Sequence, residues 1–277
     1  MTEPPNDAKD PMELTPTEKE EVERLRASLA DLISNDPMAK DHSDDYTLWR
    51  FLVARDRDTT KADAMFRGAM EWRKKVGIDE LWEAKRGIRK KAPTQGDKCY
   101  YGGLCGTSRE GGAVMVERLG KVDAKGLAKN KEVFEELKQS YIIFLERAFR
   151  QVRSTGNKTR AIAIVDLEGM SRSHILNISV IKEIAAIGPP NYPEVTCGVF
   201  ILRAPWVFTL AWKMVRPLLP KDTAAKVSIW GSNFLEALRE KVSDESIPSY
   251  LGGSCTLVDD EHDDFDALAQ PCPPPSD

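Results

Sequence analysis

Residues 205–219 read PWVFTLAWKMVRPLL, a run with apolar side chains all the way round a helix, in a chain whose charged fraction is 30%. A surface helix normally keeps one polar face, so one without it needs an apolar partner on both sides. At helical spacing Val207, Leu210, Ala211, Met214 and Leu218 cover one side, and Trp206, Phe208, Trp212, Val215 and Leu219 cover most of the rest. Lys213 and Arg216 are its only charges. The run is too short and too interrupted to span a bilayer. It therefore reads as a core helix, a lid over an apolar cavity, or an interfacial element touching both protein and membrane.

The 277 residues, 41% hydrophobic with a net charge of −4, suffice for one large domain or two modest ones. The opening MTEPPNDAKDPMELTPTEKE has prolines and acids where a secretory signal needs a basic start and an apolar core. A cytoplasmic protein is expected. Cys99, Cys105, Cys197, Cys255 and Cys272 form no CxxC pair, which points to free thiols in a reducing compartment rather than a disulfide framework or zinc site. The acidic balance argues against nucleic acid as the main partner.

Tails at 1–13 and 255–277, the second acidic and proline-rich, carry the composition of disordered chain. Helical patterns follow Thr15, Ser43 and Thr59 and end near Gly77, which makes residues 14–92 an all-helical unit. The basic run from Lys85 to Lys91 reads as a solvated linker or a contact for anionic lipid. Over 93–254, strand-like runs at 113–118, 160–166, 196–202 and 227–230 alternate with helical patterns at 132–152, 173–187, 205–219 and 232–241. Short apolar strands separated by helices imply a mostly parallel sheet with helical cover, so the expected class is α/β behind a helical N-terminal domain.

Catalytic motifs are missing. HExxH, GxxxxGK[ST] and GxSxG do not occur, and Gly169-Met170-Ser171-Arg172-Ser173 lacks the final glycine of a nucleophile elbow. Glycines 102, 103, 106, 111 and 112 read as hairpin-loop chemistry rather than a phosphate cradle. His42, His174 and His262 are scattered, which gives no metal or acid–base cluster. No enzyme activity is expected.

Trp49-Arg50-Phe51-Leu52-Val53-Ala54-Arg55 with Glu71-Trp72-Arg73, then Asn191-Tyr192-Pro193-Glu194, then Arg203-Ala204-Pro205-Trp206 through Thr223-Ala224-Ala225-Lys226, closing at Ile247-Pro248-Ser249-Tyr250-Leu251-Gly252-Gly253, resemble the CRAL-TRIO lipid-binding family in order and spacing. The likeness runs from about 44 to 254 and is greatest to the phosphatidylinositol transfer branch. It implies a helical N-terminal domain packed on an α/β domain whose apolar cavity is closed by a gate helix. Residues 205–219, with Trp206, Phe208, Leu210, Trp212, Met214 and Val215, would be that gate. The physics agrees: a phospholipid with roughly thirty chain methylenes, at about 0.8 kcal/mol each, meets a barrier of more than ~20 kcal/mol to leaving a bilayer unassisted. A closed apolar chamber removes that barrier, and its lid must face lipid when shut and membrane when open.

The resemblance also implies a head-group site, with Arg55 near the lipid phosphate and Glu194, Thr223 and Lys226 on the inositol ring. A guanidinium suits phosphate oxygens, and the other three supply donors and acceptors for ring hydroxyls. Relatives often carry a second basic residue where this chain has Asp56, with Arg57 as a candidate replacement. Positions that hold tyrosines and hydroxyls in phosphatidylcholine-binding members align with Leu104, Met115, Ala161 and Ala163, all apolar here. A buried choline phosphate would then keep unsatisfied acceptors. The expected ligand set is phosphatidylinositol plus a less polar second molecule, and Ala161 and Ala163 argue against haem. The resulting expectation is a monomeric carrier, cytoplasmic and peripheral on endomembranes, that moves phosphatidylinositol, needs no metal or cofactor, and can present lipid to a phosphoinositide kinase. The alternatives are a sterol, squalene or tocopherol carrier without inositol-lipid transfer, and a non-transferring interaction domain of the kind that accompanies GTPase-activating or phosphatase modules.

Overall fold

The computed structural model describes residues 12–85, 94–206, 208–218 and 224–255, without the side chains of 209–211, 215 and 218. The tails at 1–11 and 256–277, the basic run at 86–91, and Thr223 lie outside the described residues.

Six helices come first: α1 (Pro16–Ser28), α2 (Ala30–Asn35), α3 (Pro37–Asp41), α4 (Asp45–Val53), α5 (Thr59–Val76) and α6 (Ile78–Lys85). Their starts follow capping chemistry. Thr15 and Glu18 form a reciprocal capping box at α1, Asp44 caps α4 and Asp58 caps α5 by accepting backbone N–H bonds. The sequence reading put the last two caps one residue off. Gly77, at φ 62°, ends α5 in the left-handed conformation that glycine adopts without strain. The apolar faces of α1, α4 and α5 meet in one core that includes Leu25, Leu48, Phe51, Leu52 and Phe66. Lys85 is buried and ion-paired to Asp97 at 2.9 Å, so it is a structural cation and not part of a solvated linker.

After α7 (Gln95–Cys99), the chain forms β1 (Gly102–Thr107), β2 (Ala113–Glu117), α8 (Ala124–Lys129), α9 (Lys131–Ser154), β3 (Ala161–Asp166), α10 (Arg172–Leu176), α11 (Ile178–Ala185), α12 (Gly188–Asn191), β4 (Thr196–Leu202), α13 (Phe208–Val215), β5 (Val227–Ile229) and α14 (Leu235–Arg239). The five strands lie in sequence order, with β1 antiparallel to β2 and the others parallel. This is the expected α/β class. The glycine-rich run is itself a strand, since Gly102, Gly103 and Gly106 belong to β1 and only 111–112 turn the hairpin. A Cβ on Gly112 would lie 1.8 Å from the Arg160 carbonyl oxygen, so that glycine is there for close backbone approach.

Strand periodicity sorts the sheet into two faces. Val114, Val116, Ile162, Ile164 and Leu202 bury one face against Phe234, Leu238, Ile247 and Leu251. Cys105 and Cys255 form a disulfide on that side, which corrects the expectation of free thiols and of a tail starting at 255. A separation of 150 residues carries no signal in local spacing, and only the return of the C-terminal segment beside β1 reveals the pair. Met12, expected in the N-terminal tail, accepts a 2.9 Å bond from the Lys158 N–H. On the other face Met115, Glu117, Ala163, Val165, Val199, Ile201 and Val227 front a cavity.

The helix expected over 205–219 is shorter than its apolar run. It spans α13 and continues as a single 3-10 turn at Arg216–Leu218. Pro217 lacks an N–H and disfavours the α conformation at Arg216, so the regular helix stops at Val215.

Candidate lipid-binding site

The cavity has a volume of about 280 Å³ and lies between the open sheet face and α9, α11, α12 and α13. Its wall is overwhelmingly apolar. Phe208 and Trp212, one helical turn apart, stack with ring centroids 6.0 Å apart and, among the described side chains of α13, line the wall. Trp206 is 75% exposed, and Lys213 points to solvent. Met214 is half-buried, while the side chains of Leu210 and Val215 lie outside the described set. Among its described aromatic residues the run thus divides into two that line the chamber and one turned outward.

Arg55, Glu194 and Lys226, far apart in sequence, meet in this one wall. Local backbone explains the placement of Arg55. The N–H groups of Arg55 and Arg57 both bond to the Leu52 carbonyl, at 3.0 and 2.8 Å, and Asp56 and Arg57 take left-handed φ values of 51° and 62°. This tight reversal separates Arg55 from its neighbours. Arg55 reaches the cavity with a bond from its Nη1 to the Ala54 carbonyl at 2.8 Å, and no carboxylate pairs with it among the described residues. Arg57 turns away to Glu18, at 3.1 Å, and to Glu21, so it is no substitute for a second basic residue in the chamber. Asp56 is exposed and is absent from the wall.

Glu194 also holds a left-handed φ, 53°, which costs a residue with a Cβ about 1–2 kcal/mol. Two cations hold its buried carboxylate. Lys226 Nζ donates to both oxygens at 2.9 and 2.8 Å, and Arg160 Nη1 lies 2.7 Å from Oε2. The sequence reading did not single out Arg160. Its guanidinium stacks 5.1 Å from the Trp49 ring, and the hint of its role in the sequence is a charge that opens the strand-like run RAIAIVD.

The segment just before Glu194 is fastened to the helical domain. Tyr192 donates from its hydroxyl to Glu146 at 3.1 Å, and the same carboxylate accepts two 2.8 Å bonds from Arg73 on α5 and one from Arg150. Arg73 and Glu146 are 0% and 1% exposed. Burial alone would raise the Glu146 pKa, but Arg73 and Arg150 outweigh it and hold the carboxyl below its usual range. Trp72 packs edge-on against Tyr192 at 5.8 Å. Arg50, also buried, donates to the Thr159 carbonyl at 2.8 Å and so anchors the turn that presents Arg160.

At the far end of β4, Arg203 has φ 52° and pairs with Asp166 and Glu168, with 2.9 Å from its Nε to Asp166 and 3.0 Å to Glu168. The ion pairs pin the bend from which the Pro205 segment departs. Of the four expected lining positions, Met115 and Ala163 face the cavity. Leu104 and Ala161 do not: both share the same sheet face but lie in the core with Tyr100, Phe144 and Val195. Their distance from the chamber follows from register, since Leu104 is one strand further out and Ala161 begins β3.

No metal-binding cluster of His, Cys, Asp and Glu occurs among the described residues, and no described helix is long and apolar enough to cross a membrane. Residues 97–253 match the CRAL/TRIO domain model. The chain belongs to the CRAL/TRIO domain family. This CRAL/TRIO chain is 30% identical over 257 residues to "Protein real-time" of Anopheles gambiae, covering 89% of itself and 36% of that protein. It is 27% identical to the "Phosphatidylinositol/phosphatidylcholine transfer protein SFH12" of Arabidopsis thaliana, covering 87% and 45%. To the "Sec14 cytosolic factor" of Schizosaccharomyces pombe it is 30% identical, over 76% of this chain and 75% of that one. The chain thus spans under half of the first two relatives and three quarters of the third. Among solved structures, "Crystal structure of Sfh5" superposes with a TM-score of 0.59 at 15% identity, covering 79% of this chain and 82% of that one. That likeness shows the fold.

Proposed function

We propose that this protein binds phosphatidylinositol in the cavity and exchanges it between membranes, with no covalent step. The observation that carries the reading is the meeting of Arg55, Glu194 and Lys226 in the wall of a chamber that is otherwise apolar. Arg55, without a carboxylate partner among the described residues, is suited to a phosphate; the Glu194–Lys226 pair offers an acceptor and a donor to ring hydroxyls. Thr223 belongs to the same proposed set. Arg160 keeps Glu194 paired and oriented if Lys226 turns to a ligand. The names of the phosphatidylinositol/phosphatidylcholine transfer relative and of the Sec14 cytosolic factor support the assignment.

In this mechanism α13 contacts the bilayer with Trp206 leading, the acyl chains slide past Phe208 and Trp212, and the polar set holds the head group while the lid shuts. The protein then works as a cytoplasmic monomer that visits endomembranes and presents its lipid to a phosphoinositide kinase. Phosphatidylcholine is a poor ligand, because Met115 and Ala163 offer its head group neither phenol nor hydroxyl. The test is transfer of labelled phosphatidylinositol between vesicles. Lys226→Ala and Glu194→Lys are expected to slow transfer tenfold or more, as lost charge-assisted bonds of about 1.5–3 kcal/mol imply. Transfer at the wild-type rate by both folded variants would refute the site.

A further inference from the structure

Glu117 is an acid in an apolar wall. It ends β2 on the cavity face, two residues after Met115, and the described residues bring no cation within ion-pair distance of it. Its Oε1 accepts the Tyr100 hydroxyl at 3.0 Å, while Oε2 has no partner among the described residues. Gly102, opposite Glu117 on β1, makes this possible, since a Cβ there would lie 2.3 Å from the Tyr100 hydroxyl. Tyr141 of α9 lines the same cavity, with its ring 6.0 Å from that of Tyr100, and its hydroxyl makes no bond to a described residue. Two polar groups with spare capacity therefore lie in one part of the wall.

That part is distant from the inositol site. Glu117 is level with Val165 on β3 and hence with Ile201 and Ile229. Lys226 is three strands across and three residues along. At 4.8 Å per strand and 3.3 Å per residue the two backbones are roughly 17 Å apart on a flat sheet. We propose that Glu117 and Tyr141 anchor the hydroxyl of a second, neutral ligand, a sterol-type alcohol, whose apolar body fills the chamber. The inference rests on the same cavity serving as the lipid chamber.

The ionisation state fits an alcohol. Burial pushes the Glu117 carboxyl up to about 7, with the Tyr100 bond pulling the other way. Burial and then the nearby Glu117 push the Tyr141 phenol well above its ordinary range. Below about pH 7 Glu117 is mainly a carboxylic acid that accepts from Tyr100 on one oxygen and has a proton to donate from the other. An alcohol accepts that proton and donates to Tyr141. A choline head group would bring a phosphate with no cation to meet it. Arg118, the residue just after β2, points to the opposite face, where it stacks 4.3 Å from the Tyr250 ring and lies 3.8 Å from Asp166. Among the described residues the titratable groups facing Glu117 are Tyr100, from the turn before β1, and Tyr141, from α9; β3 presents Val165 and the segment after β2 presents Leu119.

The experiment uses the full chain and the fluorescent sterol dehydroergosterol, read by energy transfer from tryptophan, with cholestane as a competitor that has the ring body without the hydroxyl. Glu117→Leu and Tyr141→Phe are expected to weaken dehydroergosterol about tenfold or more and about threefold, leaving cholestane competition within twofold. Wild-type affinity falls as pH rises through about 7, because the ionised carboxylate loses its proton donor. Glu117→Gln keeps a donor, so its binding stays level from pH 6 to 8.5. Failure of the wild type to bind dehydroergosterol, equal binding by Glu117→Leu, or coincident pH profiles for wild type and Glu117→Gln would overturn the inference. Phosphatidylinositol transfer by the same samples separates the two readings. Intact transfer with no sterol discrimination removes this inference alone, and absent transfer with discrimination intact removes the inositol assignment alone.

Discussion

Replacing Glu146 by glutamine tests whether the helical domain positions the head-group segment. Glu146 is 1% exposed and faces Arg73, which is 0% exposed and bonds both carboxylate oxygens at 2.8 Å. Removing the negative charge strands a guanidinium that no water reaches. Breaking a buried pair in this way costs about 3–5 kcal/mol, and the amide oxygen's remaining bond places the expected loss near 3 kcal/mol. For a domain of this size that lowers the melting temperature by roughly 6–12 °C, at 2–4 °C per kcal/mol. Arg150 moderates nothing, because at 39% exposure it can turn to solvent. The double variant Arg73→Met with Glu146→Leu removes both charges, and it is expected to unfold within about 1 kcal/mol of the wild type or above it. Under the proposed function, phosphatidylinositol transfer by Glu146→Gln is expected to slow as well, since the Tyr192 hydroxyl loses its charged acceptor two residues before Glu194. Thermal unfolding of Glu146→Gln, of the double variant and of its two singles, Arg73→Met and Glu146→Leu, followed by calorimetry, reads the cycle. A Glu146→Gln loss under 1 kcal/mol, or a double variant as unstable as the two singles added, would refute the view that an uncompensated charge dominates.

Acid should destabilise the fold in two windows. His42 is buried and, through burial and then the charges of Arg73 and Arg153, titrates at about 4 in the fold, so the unfolded chain takes up its proton first and stability falls as pH drops from about 6.5 to 4. Glu18, which burial alone would raise, is held down to about 2 by Lys158, the Thr15 amide, Arg57 and Trp49. Its contribution is full above the unfolded value of about 4.5 and is lost as pH falls toward 2; each group supplies up to about 3 kcal/mol. Urea unfolding at stepped pH checks this, with Glu18→Gln flattening the lower window only. Gly112→Ala is expected to cost about 3 kcal/mol or more and to disturb Arg160, because the added Cβ meets a backbone carbonyl at 1.8 Å. Gly68→Ala in α5, where nothing lies within 4 Å, gains about 0.5–1 kcal/mol on chemical denaturation. Alkylation under denaturing, non-reducing conditions labels Cys99 and Cys197 and spares Cys105 and Cys255, as mass spectrometry of the peptides would show.

Several features were legible along the chain because their physics is local. Capping at Thr15, the glycine stop at Gly77, and the alternation of apolar strands with helices depend on residues a few positions apart. The motif Asn191-Tyr192-Pro193-Glu194 and the segment ending at Arg55 pointed to the polar wall in advance. Arg160 escaped notice because a single arginine before a strand looks like any surface charge until Glu194 is seen beside it. Glu117 had a weak signal in AVMVE, where period two puts it on the face of Met115. Leu104 and Ala161 were misplaced for the opposite reason: correct face, but a position along or across the sheet that only register reveals.

Composition and periodicity by themselves determined the class, the helical domain before an α/β domain, and the need of residues 205–219 for apolar surroundings. These follow from backbone propensity and from the cost of wetting apolar side chains, which are properties of short stretches. Tertiary structure alone decided that Trp206 faces out while Phe208 and Trp212 face in, that Pro217 shortens the helix, and that Cys105 meets Cys255. It also gave Glu194 two cations and Glu117 none among the described residues. Charges act through space, and whether a carboxylate is paired or left as an acid depends on which distant strands and helices the fold sets around it.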